Sequence, residues 1–371
     1  MALRDEVLSF IERHRVVPEG VGRYRYSLAC SVPTVYSSCY AAMTRGLYGD
    51  LDNLSVDERE SWIAYLQSFQ QDDGLFWDPV IYNQGWFAGD PFDCGRPHLT
   101  CHVITALECL GATAEKPFAL TDKYSDIGEL ETWLESRDWG ERVAWTGNEV
   151  MNMGTLLQYS RDFHSDDRAA VAAEFMFDWL ENNHLSPETG LWGNIDTSNP
   201  VWRSHAVQAA YHWWPLFAYD GRKFPHTERA IDSVLATQNM NGGFGWGVHN
   251  PDDPFVSSAC EDIDSIDSLA RMYFQIDYRR AYIYDSLHTA ERWVLKNQMV
   301  DGGFVFMLNR PFEYGHPELY GPNGVGAMFP TWFRTLSLAI IDKVLSEGEQ
   351  DTDTWLFSKC PGYQYWPQEN V

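Results

Sequence analysis

Positive charge is scarce in this chain. Its 371 residues carry 27 Lys and Arg against 53 Asp and Glu, a formal net charge of −26. A mean field of that sign repels phosphate, which argues against nucleic acid or an anionic membrane surface as a partner. No run of 18 apolar residues occurs, so no membrane-spanning helix is expected. The opening stretch "MALRDEVLSFIERHR" is amphipathic and charged, unlike a secretory signal. Seven cysteines, at positions 30, 39, 94, 101, 109, 260 and 360, form no CxxC pair. They read as reduced thiols in a cytoplasmic protein. No β-rich stretch, dinucleotide-binding fingerprint or phosphate-binding loop is found.

Apolar and aromatic residues are plentiful. Hydrophobic residues make up 44% of the chain and aromatics 15%, with 16 Trp. That composition implies a large folded core and an aromatic-lined cleft. Glycine turns recur in one context: "YLQSFQQDDGLFWDP" at 65–79, "WLENNHLSPETGLWG" at 179–193, "VLATQNMNGGFGWG" at 234–247 and "VLKNQMVDGGFVFM" at 294–307. Each joins the end of a helical pattern to a polar turn and an aromatic pair, with key glycines at 74, 190, 243 and 303. A degenerate copy, "WLESRDWGERVAW", lies at 133–145.

Helices rich in small residues follow these turns, at 35–47, 99–111, 149–159, 202–214, 262–274 and 331–345. With "RDEVLSFIERHR" as the first outer helix they make six hairpins, at a period of roughly 55 residues. The small-residue set suits an inner ring of crowded helices. The expectation is an all-α, (α/α)6 toroid formed as a single domain over 1–371. The final "CPGYQYWPQENV" is expected to pack on its surface.

Aligning the inner helices by their turns places His102, His205 and Asp264 together, with Thr331 nearby. One turn later come Thr105, Gln208, Asp267 and Arg334. Glu261, Asp264 and Asp267 share a helix face, so the cavity mouth is expected to carry His102, His205, Glu261, Asp264, Asp267 and Arg334. Crowded carboxylates raise one another's pKa, and a proton kept on Asp264 makes a general acid. Asp262 also reads as a cap or first-turn acid. Trp77, Trp192, Trp246 and Phe306 either line the cavity, where ring faces stabilise cations, or wedge the hairpins together.

"QNMNGGFGWG" resembles the Gln-and-Trp repeat of the terpenoid cyclase and protein prenyltransferase superfamily. Weaker copies stand at Gln71–Trp77, Glu181–Trp192 and Gln298–Phe306. The resemblance implies the same toroid. Asp262-Ile263-Asp264-Ser265 is similar to the first three positions of the DxDD motif of class II terpene cyclases, with Ser265 in place of the fourth Asp. That likeness makes Asp264 the donor that protonates an isoprenoid alkene, aided by Asp262, Asp267, His102 and His205. Prenyltransferases of this superfamily hold zinc through Asp, Cys and His, and Asp93, Cys94, His98 and His102 offer those residue types. Otherwise no cofactor is expected.

Two other readings compete. A carbohydrate-active (α/α)6 enzyme would use paired carboxylates as a glycosidase, or His102 and His205 as a sugar epimerase. A non-catalytic binding module would tie its inward acids into salt bridges with Arg334 or Arg203. The enzyme readings are favoured and imply a small-molecule substrate, isoprenoid or carbohydrate. The sequence leaves the oligomeric state open.

Overall fold

A computed structural model describes residues 2–16, 20–347 and 355–367. In chain order the helices begin with α1 (Ala2–Arg13), α2 (Val35–Leu47), α3 (Val56–Gln67), α4 (Arg96–Cys109) and α5 (Ala119–Tyr124). Next come α6 (Ile127–Glu135), α7 (Val143–Phe163), α8 (Asp167–Asn182) and α9 (Pro200–Tyr219). The last four are α10 (Thr227–Leu235), α11 (Ala259–Gln275), α12 (Arg280–Lys296) and α13 (Met328–Leu345). A two-stranded hairpin, β1 (Phe312–Glu313) with β2 (Tyr320–Gly321), lies in the loop before α13.

Helices α2, α4, α7, α9, α11 and α13 pack each on the next, and α13 returns to α2, closing a ring. The remaining helices stand outside it, with α5 and α6 sharing one outer position. The fold is the expected (α/α)6 toroid. Small residues make the inner ring possible. A Cβ on Gly147 of α7 would lie 2.6 Å from the Cα of Ala209 on α9, so only glycine permits that approach.

The turns entering the inner helices are built alike. Antiparallel bridges pair Gln70 with Phe76, Leu185 with Trp192, Gln238 with Phe244 and Gln298 with Phe304. In three of them the Gln side chain donates to the carbonyl of a glycine four residues on: Gln70 to Gly74, Gln238 to Gly242 and Gln298 to Gly302. The repeated glutamine in the first copy is thus Gln70 rather than Gln71. The amide of the following aromatic then donates to an inner helix: Phe76 to Thr100 of α4, Phe244 to Asp262 of α11 and Phe304 to Thr331 of α13.

The C-terminal segment departs from expectation. Its residues 360–367 enter the ring instead of lying on its surface, with Cys360, Tyr363 and Gln364 buried, and 368–371 lie outside the described residues. The inner end of a helical ring is an apolar hole, and this aromatic segment fills it. Among the described residues, no helix is long and apolar enough to cross a membrane.

Gly302 has φ +83°, and a Cβ there would stand 2.5 Å from the Glu6 carbonyl of α1. Gly302→Ala is therefore expected to cost about 1–3 kcal/mol from backbone strain, before any clash. Urea unfolding of the variant measures the loss.

Candidate active site

A cavity of about 540 Å3 opens at the rim where the inner helices begin. Its helical wall includes His98 and His102 of α4, Asn148 of α7, Gln208 and His212 of α9, and Asp264 of α11. Aromatic rings supply most of the remainder: Trp145, Phe306, Phe312, Tyr314, Phe329 and Phe333. Tyr363 of the C-terminal segment also lines it. The volume falls in the range of small-molecule sites, about 300–1,000 Å3.

The four carboxylates at the start of α11 have four different roles. Glu261 completes a capping box with Ser258, and its side chain accepts from the amides of Ser258 and Val248 at 3.0 and 2.9 Å. Burial pushes its pKa up, but His249 and the Ser258 hydrogen bonds outweigh this and leave it below the ordinary value. Asp262 accepts from Phe244 N, from Trp293 Nε1 at 2.8 Å and from Arg334 Nη1 at 2.6 Å. It is a fully saturated structural acceptor. Asp267 pairs with Arg271 at 2.8 Å, and both are buried.

Asp264 alone of the four lines the cavity. Gln208 hydrogen-bonds to its side chain, while its Oδ2 has no partner among the described residues. Burial first, then Glu261, drives its pKa well above the usual carboxylate range, with Asp262 and Asp267 adding to the effect. It holds its proton more tightly than an ordinary carboxyl, and one of its oxygens is buried without a partner among the described residues.

Two imidazoles complement it. His102 Nδ1 lies 2.8 Å from the His98 carbonyl, and His212 Nδ1 lies 2.6 Å from the Gln208 carbonyl. A carbonyl only accepts, so each Nδ1 carries the ring proton and each Nε2 keeps its lone pair. Burial lowers both pKa values to about 4, so both rings are neutral bases at pH 7. The arrangement can deliver a proton from one side and accept one from another.

The remaining expected site residues fall elsewhere. Arg334 is fully buried and spends its guanidinium on Asp262 and on the carbonyls of Val305, Ser257 and Phe306. It fastens α13 to α11 and has no free face for a ligand. His205 sits at the rim between Trp145 and Trp202, outside the cavity lining. Phe306 lines the cavity, but Trp77, Trp192 and Trp246 do not. Trp77 stacks on Tyr82, Trp192 is wedged against Trp213 with its Nε1 on the Leu180 carbonyl, and Trp246 packs on Phe255. Trp192 ties its turn to α8 and α9, while Trp77 and Trp246 pack within their own loops.

Three of the four residues considered for zinc are held by other groups. Asp93 faces Arg142 at 3.5 Å, His98 Nδ1 meets the Tyr36 hydroxyl at 2.6 Å, and His102 Nδ1 is held by a carbonyl. Among the described residues, no three His, Cys, Asp or Glu side chains converge closely enough for a metal.

Sequence reasoning missed His212, Asn148, Phe333 and Tyr363. His212 could have been found, since it lies two turns after His205 on the same helix face. The error was one of register. Helices α7 and α9, at 21 and 20 residues, are longer than the other inner helices, so equal distance from the turn does not mean equal depth. Likewise Thr331 stands level with Asp262, as the acceptor of a turn amide, and not with Asp264.

No protein-family model and no curated protein matches the chain. Among solved structures, an unsaturated glucuronyl hydrolase specific for heparin aligns with TM-score 0.55 at 11% identity, over 95% of this chain and 98% of its own. The cellobiose 2-epimerase of Spirochaeta thermophila aligns with TM-score 0.52 at 13% identity, over 93% and 98%. A type II terpene cyclase from Scytonema, bound to geranylgeranyl dihydroxybenzoate, aligns with TM-score 0.50 at 12% identity, over 93% and 96%. The toroid is common to all three, and at these identities the likeness extends to the fold alone. Two of the three are named for carbohydrate substrates and one for an isoprenoid.

Removing one partner of a buried ion pair leaves the other uncompensated. Asp262→Ala is expected to cost about 3–5 kcal/mol, and adding Arg334→Met to recover part of it, both read by urea unfolding. The cavity groups impose opposite pH slopes. Asp264 holds its proton in the fold and releases it on unfolding, so its contribution is full below the ordinary Asp value of about 3.9 and declines as pH rises. His102 and His212 stay neutral in the fold, so the stability they carry is full above 6.5 and is lost as pH falls toward about 4. Thermal unfolding from pH 4 to 8 should show the advantage of Asp264→Asn over wild type growing with pH. His212→Gln should flatten the loss on the acid side.

Proposed function

We propose that this protein is a carbohydrate-active acid–base enzyme that isomerises or epimerises a short saccharide by proton transfer. One observation carries the reading: Asp264, a carboxyl with an unpartnered oxygen, shares a cavity with two imidazoles, His102 and His212, whose Nδ1 atoms are each held by a backbone carbonyl. Of the other carboxylates on the cavity lining, Asp93 faces Arg142 at 3.5 Å and Glu313 is exposed on β1, so proton transfer at Asp264 is preferred here to the paired-carboxylate chemistry of a glycosidase. Two carbohydrate enzymes of the same fold, one an epimerase, support the substrate class.

In this mechanism an open-chain sugar rests against the aromatic wall. One imidazole Nε2 takes the proton from the carbon beside the carbonyl. The Asp264 carboxyl gives its proton to the carbonyl oxygen, producing an enediol. A proton from water, relayed through Nε2 of the other imidazole, is delivered to the opposite face, the first imidazolium releases its proton to water, and the hydroxyl proton goes back to Asp264, which yields the epimer and restores the site.

A second reading is proton-initiated cyclisation of an isoprenoid. It is favoured by the largely aromatic wall and by the free oxygen of Asp264 within its DxD stretch. Solvent deuterium separates the two. With a panel of mono- and disaccharides in D2O, NMR should show deuterium entering the carbon beside the carbonyl together with an epimer. Asp264→Asn and His212→Gln should each slow this by about 10²–10⁴-fold. No exchange with any sugar, alongside one deuteron in a cyclised isoprenoid, would move the assignment to the second reading.

A further inference from the structure

Two tryptophans differ from the rest. Among the described residues, which include all 16 tryptophans, only Trp86 and Trp145 are exposed, at 48% and 38%. Both line the cavity. Large aromatic surface left open to water at the mouth of one cavity marks a binding surface.

Each of the two rings is held in place. Trp86 lies in a short turn of helix at Gly85–Gly89, edge-on to Phe87 and to Tyr314 at 5.7 and 5.4 Å. Gly315 makes room for the indole, since a Cβ there would stand 1.8 Å from its Nε1. Trp145 lies in the first turn of α7, 5.6 Å from the His205 ring of α9, with the Arg142 guanidinium 5.4 Å over it. Phe87 contacts Tyr36 of α2, and Tyr314 stacks on Phe329 of α13. Trp86 therefore belongs to the α13–α2 side of the mouth and Trp145 to the α7–α9 side, which are opposite in the ring.

The mouth also carries polar groups. Asp93, Arg142 and the exposed Glu313 line it, with Arg142 3.5 Å from Asp93. Two carboxylates against one guanidinium disfavour an acidic ligand, and their donors and acceptors suit hydroxyl groups. Flat rings flanked by such groups match a pyranose, whose axial C–H bonds form an apolar face and whose hydroxyls ring its edge. A β-1,4-linked glucosyl unit, with every substituent equatorial, presents such a face on both sides.

We propose that Trp86 and Trp145 are outer subsites that stack on the sugar units beyond the reacting one, so that the preferred ligand is a neutral oligosaccharide. The saccharide class rests on the functional reading above, while the place of the outer units follows from the two exposed rings. Because the cavity opens at the rim, a chain whose end reaches Asp264 extends outward past these rings. Each unit that meets one covers indole surface otherwise left in water, and affinity rises with chain length.

The test is calorimetric titration of wild type, Trp86→Ala, Trp145→Ala and the double variant with cellobiose, cellotriose and cellotetraose. Wild type should bind the tetrasaccharide about tenfold more tightly than the disaccharide. Each single variant should reduce that gain, and the double variant should abolish it. A wild type without the gain, or a folded double variant that keeps it, overturns the proposal and leaves the functional reading in place. If alanine melts the barrel in a thermal scan, Trp86→Phe and Trp145→Phe take its place. Their smaller rings should narrow the gain, and an unchanged gain overturns the proposal. The expected gain without solvent-deuterium exchange supports the subsites and overturns the epimerase chemistry alone. If wild type binds none of the three saccharides, the functional reading and the subsites fail together.

Discussion

A toroid of parallel inner helices requires each helix to be fixed in rotation about its own axis, and one hydrogen bond recurs to do this. In three of the hairpins the amide after the glycine turn donates to a side chain early in the inner helix: Thr100, Asp262 or Thr331. In the fifth hairpin the acceptor is a carboxylate, which also takes donors from Trp293 and Arg334. Successive helical residues are about 100° apart, so a residue two positions on faces the other way. Fixing Asp262 toward the outer layer therefore aims Asp264 at the cavity.

That geometry separates two kinds of acid within three residues. Burial raises the pKa of both, but the donors around Asp262 pull it back, whereas the like charges around Asp264 push it higher. The imidazoles across the cavity are governed by the same burial acting in the opposite direction. Low dielectric favours the neutral form of both acid and base, and the charged groups of the lining, Asp93, Arg142 and Glu313, stand apart from them. A chain carrying net charge −26 thereby encloses a chamber whose central acid–base groups are neutral.

The architecture was legible because its signals are local. A glycine with positive φ, a glutamine four residues before it and an aromatic after it all lie within one turn, and their recurrence gives the number of hairpins. Asp264 was legible for a related reason, since capping could not explain an acid inside the first turns of a helix. Depth in the ring was not legible. It depends on how far α7 and α9 extend beyond their neighbours, which no turn motif records, and that is why His205 stood in for His212. The tryptophans were ambiguous because hairpin wedges and cavity walls draw on the same residue types. Tyr363 was hidden because its place on the cavity wall is set by distant helices rather than by its neighbours in sequence.

The position of the C-terminal segment has a consequence for biosynthesis. Ring closure joins α13 to α2, and the peptide that fills the ring follows α13 in the chain. Both contacts span nearly the whole sequence, the kind of closure that slows folding. On the ribosome the first five hairpins emerge with the hole between their inner helices still lined by exposed rings, and no later hairpin or plug to cover them. Some of the most deeply buried residues of the toroid thus come after every helix of the ring in the chain, so the ring is made before the peptide that fills it.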